Sequence, residues 1–312
     1  MASGWPGCKH IAEQRAMSAL HPIIAVTGSS GAGTTTVSRT FDWIFRHENI
    51  RAARIEGDAF HRYTRAEMRQ LTTEAERHGD CGPNHFSPDA NLLGELDTVF
   101  ARYGECGKGF YRHYLHDEIE AARYGQPPGT FTDWQDLPEQ TDLLFYEGLH
   151  GGVVTDSVDL AKHADLLIGV APTINLEWIQ KVLRDTRERG YARETVQETI
   201  LHRMSDYVHY IVPQFSRTDI NFQRVPIVDT SNPFVAREIP TLDETLVVIR
   251  FRNPGSADFP YLLAMLHGAW MSRANTLVVP GARMDMAMQV ILTPRIVSLV
   301  DAARRERMKP HS

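Results

Sequence analysis

Apolar and β-branched residues are gathered into short stretches separated by amphipathic ones. P-I-I-A-V-T (Pro22–Thr27) runs unbroken into a glycine, the pattern of a strand buried on both faces of a parallel sheet. Ala52–Glu56 is a weaker second strand, and Leu143–Tyr146, Leu166–Val170, Leu246–Phe251 and Thr276–Val279 repeat the signal. Between the first two, Val37, Phe41, Ile44 and Phe45 fall on one stripe of a helix over Thr35–His47. Helical spacing recurs over Asn175–Arg187, Glu194–His209 and Met284–Arg307, whereas 81–90 and 124–138, rich in glycine and proline, read as loops. The class is α/β, and the opening strand–helix–strand unit predicts a parallel pair with a right-handed crossover.

Composition narrows the chemistry. With 312 residues, 42% of them hydrophobic, the chain can bury a sizeable core without disulfides or metal. A formal charge of −6 lacks the broad positive field of a nucleic-acid binder, so small-molecule chemistry is expected. Cys8, Cys81 and Cys106 form no C-x-x-C pair and support neither a disulfide framework nor a zinc ribbon, which fits a reducing, cytoplasmic setting. No apolar run approaches the length of a bilayer span, and the charged, polar start is no signal peptide, so no membrane partner is expected. With Met17 as a second plausible start, residues 1–20 read as a disordered extension and 21–312 as a single domain.

Where the first strand meets the first helix stands Gly28-Ser29-Ser30-Gly31-Ala32-Gly33-Thr34-Thr35-Thr36. The Gly28-x4-Gly33 spacing matches a phosphate-binding P-loop in all but its lysine, whose slot holds Thr34. Glycines let the backbone turn tightly and aim successive N–H groups, with the helix N-terminus, at a polyphosphate. Thr35 occupies the hydroxyl position that would ligate Mg²⁺. Asp58 in G-D-A-F and Glu147 in F-Y-E-G each follow an apolar run, so both carboxylates should emerge at the carboxyl end of the sheet beside the loop. A nucleophile elbow centred on Ser30 is the competing reading of the same turn, but its fifth position is Ala32 instead of glycine.

A P-loop with threonine in the lysine slot needs its cation from elsewhere. Lys181, Arg184 and Arg187 recur at three-residue steps before Arg189-Gly190 breaks the helix, and a lid built from this segment could bring Lys181 and Arg189 to the phosphates. A solvated cationic helix face would look the same, with Asp185 an i,i+4 partner of Lys181 or Arg189.

The strings H-P-I-I-A-V-T-G-S-S-G-A-G-T-T-T, I-E-G-D-A-F-H-R, F-Y-E-G-L-H-G, R-D-T-R-E-R-G-Y and P-Q-F-S-R-T-D-I-N-F-Q-R-V-P resemble the phosphoribulokinases, specifically the bacterial type with a lysine-less P-loop. The resemblance extends over nearly the whole chain from His21. It implies a nucleoside-monophosphate-kinase-like α/β fold with a mixed sheet and flanking helices. It also implies ATP-dependent phosphorylation of D-ribulose 5-phosphate at O1, yielding ribulose 1,5-bisphosphate for the Calvin cycle.

Carried over by the same resemblance, Asp58 would be the base. Lys181 and Arg189 would supply positive charge to the moving phosphoryl group, with Arg184 on the nucleotide, and Asp185, which matches a functional acid of the family, would orient those cations or share metal and base duties with Asp58. His61, Arg65, Tyr114 and His116 would hold the sugar phosphate, where an arginine fork suits a phosphate. Glu147 and Thr35, with Asp58 in part, would hold Mg²⁺. The resemblance further implies a homo-oligomer, commonly an octamer, activated by NADH and inhibited by AMP through Arg250 and Arg273. His47 stands where relatives tend to carry arginine, which puts the strength of that control in question. With no cysteine between Gly28 and Thr36, no disulfide switch of the plant kind is expected. A uridine or pantothenate kinase, or a non-catalytic nucleotide sensor, would share the loop but not the need for a second phosphate site.

Overall fold

The computed structural model describes residues 20–28, 34–80, 82–187 and 190–309, with the side chains of 34–36 outside that description. Its strands are β1 (Ile23–Gly28), β2 (Ala52–Glu56), β3 (Phe110–Tyr111), β4 (Gln135–Asp136), β5 (Leu143–Gly148), β6 (Leu166–Pro172), β7 (Ile220–Pro226), β8 (Thr245–Phe251), β9 (Trp270–Arg273) and β10 (Thr276–Pro280). The helices are α1 (Thr34–His47), α2 (Arg65–Arg77), α3 (Leu93–Cys106), α4 (Glu118–Tyr124), α5 (Ile174–Arg187), α6 (Arg193–His202), α7 (Met204–Asp206), α8 (Val212–Arg217), α9 (Phe259–Met265) and α10 (Met284–Arg307).

Eight strands form one mixed sheet in the order β2-β5-β1-β6-β7-β8-β10-β9. The first five are parallel, and β8, β10 and β9 extend the sheet in antiparallel fashion. The expected strands are all present, but β1 and β2 are not neighbours: β5 lies between them and pairs with both. That insertion brings the carboxyl ends of β2, β5 and β1 side by side.

Strand alternation sends side chains to two cores. Ile24 and Val26 join Phe41, Ile44, Ile291 and Leu292 under α1 and α10, while Ile23 and Ala25 join Leu96, Phe100 and Tyr103 under α3. Sequence patterning misses β7, because only Ile220 and Phe222 of I-N-F-Q-R-V-P are buried, and it misses the exposed edge strand β9. It also passes over α2, a polar helix whose start is nonetheless closed by a Thr64/Glu67 capping box. The expected helix over Glu194–His209 is split instead. It stops at His202 and resumes as α7, then widens into a π turn over Tyr207–Ile211 ahead of Pro213, which has no N–H to continue a regular ladder.

One reading needs correction. The stretch Gly281–Arg307 is in fact long and apolar enough to cross a membrane by length and composition alone. Its apolar stripe, Met288, Ile291, Leu292, Ile296 and Val300, is buried in the core beneath α1. Its last turn is tied down by charge: Arg304 forks onto Asp142, Nε to Oδ1 at 3.0 Å and Nη2 to Oδ2 at 2.9 Å, while the Arg51 N–H also donates to Asp142 at 2.9 Å. Asp142→Ala is expected to destabilise the chain by about 2 kcal/mol, since it strips a bidentate partner and a backbone acceptor at once. Urea unfolding checks this, and an unchanged midpoint would show that α10 is held by its apolar stripe alone.

Candidate active site

The end of β1 reaches Gly28, and α1 starts at Thr34. Ser29 to Gly33 lie outside the described residues, as do the side chains of Thr34, Thr35 and Thr36. What the fold supplies here is a parallel strand running toward a helix N-terminus, the arrangement that favours phosphate.

Two strands away, β2 leads into a short 3₁₀ turn, Gly57–Phe60, that carries Asp58. The turn sits tightly on the end of β5. A Cβ added at Gly57 would lie 2.8 Å from the Gly148 Cα, and one added at Gly148 would lie 2.6 Å from the Gly57 Cα. Only paired glycines let these two backbones meet. Their contact places Asp58 two residues past the end of β2 and beside Glu147, the penultimate residue of β5, where Glu56 and Glu147 are also register partners.

Around Asp58 the chain gathers imidazoles. His61 Nε2 lies 3.2 Å from Asp58 Oδ1, and His116 Nε2 lies 3.8 Å from Oδ2. His61 stacks on His85 with ring centroids 3.9 Å apart, and its Nδ1 is 2.9 Å from Asn91 Oδ1. Burial holds His85 down at about 3 and His150 at about 4, so the stack under His61 is uncharged near neutrality. Burial alone would raise the Asp58 pKa, but the His61 hydrogen bond and the surrounding imidazoles outweigh it and hold the carboxyl well below its usual range.

The other expected sugar-phosphate residues converge on the same place. Arg65 opens α2, donates through Nη2 to the His116 carbonyl at 2.7 Å and lies 5.9 Å from the centre of the Tyr114 ring. Tyr114 meets His116 edge-on at 4.9 Å and His61 at 6.0 Å. His61 differs from the other three: it is buried, and both its ring nitrogens are engaged within the protein.

Sequence reasoning missed the frame beneath. Arg112 donates to the carbonyls of Ala59 and His61, at 2.8 and 2.7 Å, from between the rings of Phe131 and Trp134. His85, Asn91 and His150 were missed as well. Their only local signal is a glycine- and proline-rich loop and one histidine after F-Y-E-G.

The cationic helix gives a mixed outcome. On α5, Lys181 Nζ lies 2.6 Å from Asp185 Oδ2 and Arg184 Nε 3.3 Å from Oδ1. The local i,i+4 pairing open to Asp185 is thus the one present. Burial lowers the Lys181 pKa, and Asp185 opposes it. Arg189 lies outside the described residues. The nearest basic side chains to the Asp58 carboxylate are His61 and His116, and among the described residues no ion-pair contact to it comes from α5. Arg203, a half-buried cation at the break between α6 and α7 that sequence reasoning did not single out, acts through its charge on both Asp185 and His85.

Arg250 and Arg273 fall in one cross-strand row, both opposite Thr276, on the far side of the sheet from Glu147. Arg250 donates to the Phe215 carbonyl at 2.5 Å and Arg273 is exposed. His47 stacks on Trp43 at the end of α1, 4.7 Å between centroids.

Comparison with known proteins decides the family. A family model described as Phosphoribulokinase / Uridine kinase family matches residues 23–231. The chromosomal phosphoribulokinase of Cupriavidus necator is 61% identical over 289 residues, covering 93% of this chain and 99% of its own length. The phosphoribulokinase of Nitrobacter vulgaris is 62% identical over 285 residues, covering 91% and 98%. The solved phosphoribulokinase from Rhodobacter spheroides superposes with a TM-score of 0.85 at 57% identity, covering 92% of this chain and 99% of that one. The chain belongs to the phosphoribulokinase/uridine kinase family. It is a kinase that transfers phosphate to an alcohol acceptor, on the P-loop kinase-like α/β fold that its motifs implied.

In a kinase of this family the hard oxygens available to Mg²⁺ deserve a test of fit. Among the described residues no three His, Cys, Asp or Glu side chains form a cage. That suits an ion held by one or two protein oxygens together with phosphates and water. Glu147 fits. Burial pushes its pKa up to about 7 from 4.5, with Glu56 adding to the rise and the Ser38 hydroxyl, which donates at 2.7 Å, working against it. Such a carboxylate is stabilised by an added cation.

Two outcomes follow from this geometry. Between pH 4.5 and about 7 the folded chain binds more protons at Glu147 than the unfolded one, so stability falls as pH rises through that window and is level above it. The loss amounts to at most about 3 kcal/mol, and Glu147→Gln is expected to remove it. Denaturant melts of both proteins at several pH values measure the difference; parallel pH profiles would contradict it. Gly148→Ala is expected to destabilise by about 1–3 kcal/mol and to lower turnover, because the new Cβ meets backbone and pushes the Asp58 turn off β5. A variant as stable and active as the wild type would show that the turn has room to shift.

Proposed function

We propose that this chain phosphorylates D-ribulose 5-phosphate at O1 with ATP as donor, releasing D-ribulose 1,5-bisphosphate and ADP in the carbon-fixing Calvin cycle. The observation that carries the reading is the convergence of Arg65, Tyr114 and His116 on Asp58, which sets a cationic and hydrogen-bonding wall beside one carboxylate. An acceptor that already bears a phosphate needs such a wall; a nucleoside does not. The phosphoribulokinase names of relatives at 61 and 62% identity support the same substrate.

In the reaction, the O1 hydroxyl oxygen bonds to the γ-phosphorus, the bridging oxygen leaves with its electron pair on ADP, and Asp58 takes the hydroxyl proton. Held anionic by its imidazole neighbours, Asp58 is a weak base that acts as the hydroxyl oxygen gives up charge to phosphorus. Its oxygens are turned to imidazoles, so we assign it to the proton and assign Mg²⁺ to Glu147 and the Thr35 hydroxyl. When bound, that ion neutralises charge on the phosphate oxygens. The residues 28–36 would cradle the polyphosphate. Lys181 and Arg189, with Arg184 on the nucleotide and Asp185 orienting them, would supply the charge that Thr34 lacks. This needs Lys181 to exchange Asp185 for phosphate as α5 closes. A cytoplasmic homo-oligomer, up to an octamer, controlled by NADH and AMP at the Arg250–Arg273 row belongs to the same proposal.

ADP release with Mg-ATP and ribulose 5-phosphate, run against uridine, tests the reading. Activity is expected with the sugar phosphate alone; preference for uridine would overturn it. Asp58→Asn is expected to keep ATP binding and lose turnover by about 10²-fold or more, and near-normal turnover would remove Asp58 from the chemistry.

A further inference from the structure

Asn91 is 2% exposed and lies 30 residues beyond His61, at an isolated antiparallel bridge between the two. Its amide has one possible orientation. Nδ2 donates to the carbonyls of His85 at 3.0 Å and Ser87 at 2.7 Å, so both its protons are committed. The atom left facing His61 is therefore Oδ1, a pure acceptor, at 2.9 Å from Nδ1. A hydrogen bond there requires the proton on His61 Nδ1. The His85 carbonyl that locks Asn91 also accepts from His150 Nε2 at 2.9 Å, and the His85 ring covers the face of His61.

Asp58 Oδ1, a carboxylate oxygen 3.2 Å from the ring's other nitrogen, also only accepts, so Nε2 must carry a proton too and the ring that joins Asn91 to Asp58 is an imidazolium. We propose that Asn91 is a positioning residue for the kinase reaction: by fixing the hydrogen-bond polarity and the plane of His61, it tethers Asp58 through Oδ1 and leaves Oδ2 as the oxygen that meets the sugar hydroxyl. This rests on the reading of Asp58 as the base. Oδ2 is the oxygen on the side of His116, Arg65 and Tyr114, where the acceptor would lie. The arrangement also explains why His61 is buried with both nitrogens occupied, unlike its three neighbours in the expected sugar site.

Two measurements on the full chain test the assignment. Long-range ¹H–¹⁵N spectra of the wild type, labelled at histidine nitrogens and assigned through His61→Asn, are expected to show both His61 nitrogens protonated. A bare Nδ1 or a bare Nε2 overturns the proposal without any variant of Asn91 having to fold. In a double-mutant cycle, Asn91→Ala is expected to lower kcat about tenfold or more with the KM for ATP unchanged, yet to lower it less than about twofold in a His61→Ala background. Additive losses would mean that Asn91 does not act through His61. Asp58→Asn run alongside separates the two readings. Near-normal turnover there strikes the base assignment, whereas an inactive Asp58→Asn with additive Asn91 and His61 losses strikes only the role of Asn91.

Discussion

The meeting of two backbones at Gly57 and Gly148 is the constraint on which the site depends. A side chain on either residue would strike the other's Cα at 2.8 Å or less, so the turn after β2 can lie on the end of β5 only because neither has one. Topology makes the contact possible, since β5 enters the sheet between β1 and β2 and its last residues come level with both. The consequence is chemical. A carboxylate on the turn and a carboxylate on the strand share one edge of the sheet with the start of α1, where a phosphate-binding loop belongs.

Those carboxylates then diverge through their surroundings. Glu147 is pushed up by burial beside Glu56, whereas Asp58 is drawn down by the imidazoles that the loops around residues 61, 85 and 116 set about it. One is a group that gains from an added cation; the other stays charged and hydrogen-bonded. This division separates the two tasks of a kinase site, holding the donor's charge and receiving the acceptor's proton, within a single edge of the sheet.

Much of this was legible in the sequence because the informative residues are local. A strand running into glycines and then an amphipathic helix carries its own pattern, and Asp58, Arg65, Tyr114 and His116 stand in short strings that mark them. What could not be read depends on long-range contact. Asn91 is a polar residue ahead of an apolar helix and gives no sign that it will lock His61. His150 and His85 are far apart in the chain yet meet through one carbonyl. Strand β7 escaped notice because its outward residues are half-buried against neighbouring strands and helices and it shows only two buried apolar positions. The pairing of Lys181 with Asp185 was legible as a local option, but the place of α5 relative to Asp58 was not, since it depends on packing against α6 and β6.

The central claim is that Asp58, on its glycine-seated turn, is the group that receives the acceptor's proton. A crystal structure of the chain with ribulose 5-phosphate and a non-hydrolysable ATP analogue tests this most directly. The account predicts the sugar O1 within about 2.6–3.2 Å of an Asp58 carboxylate oxygen, with the sugar's phosphate on Arg65. An O1 directed at another side chain, with Asp58 still bound only to its histidines, would contradict it.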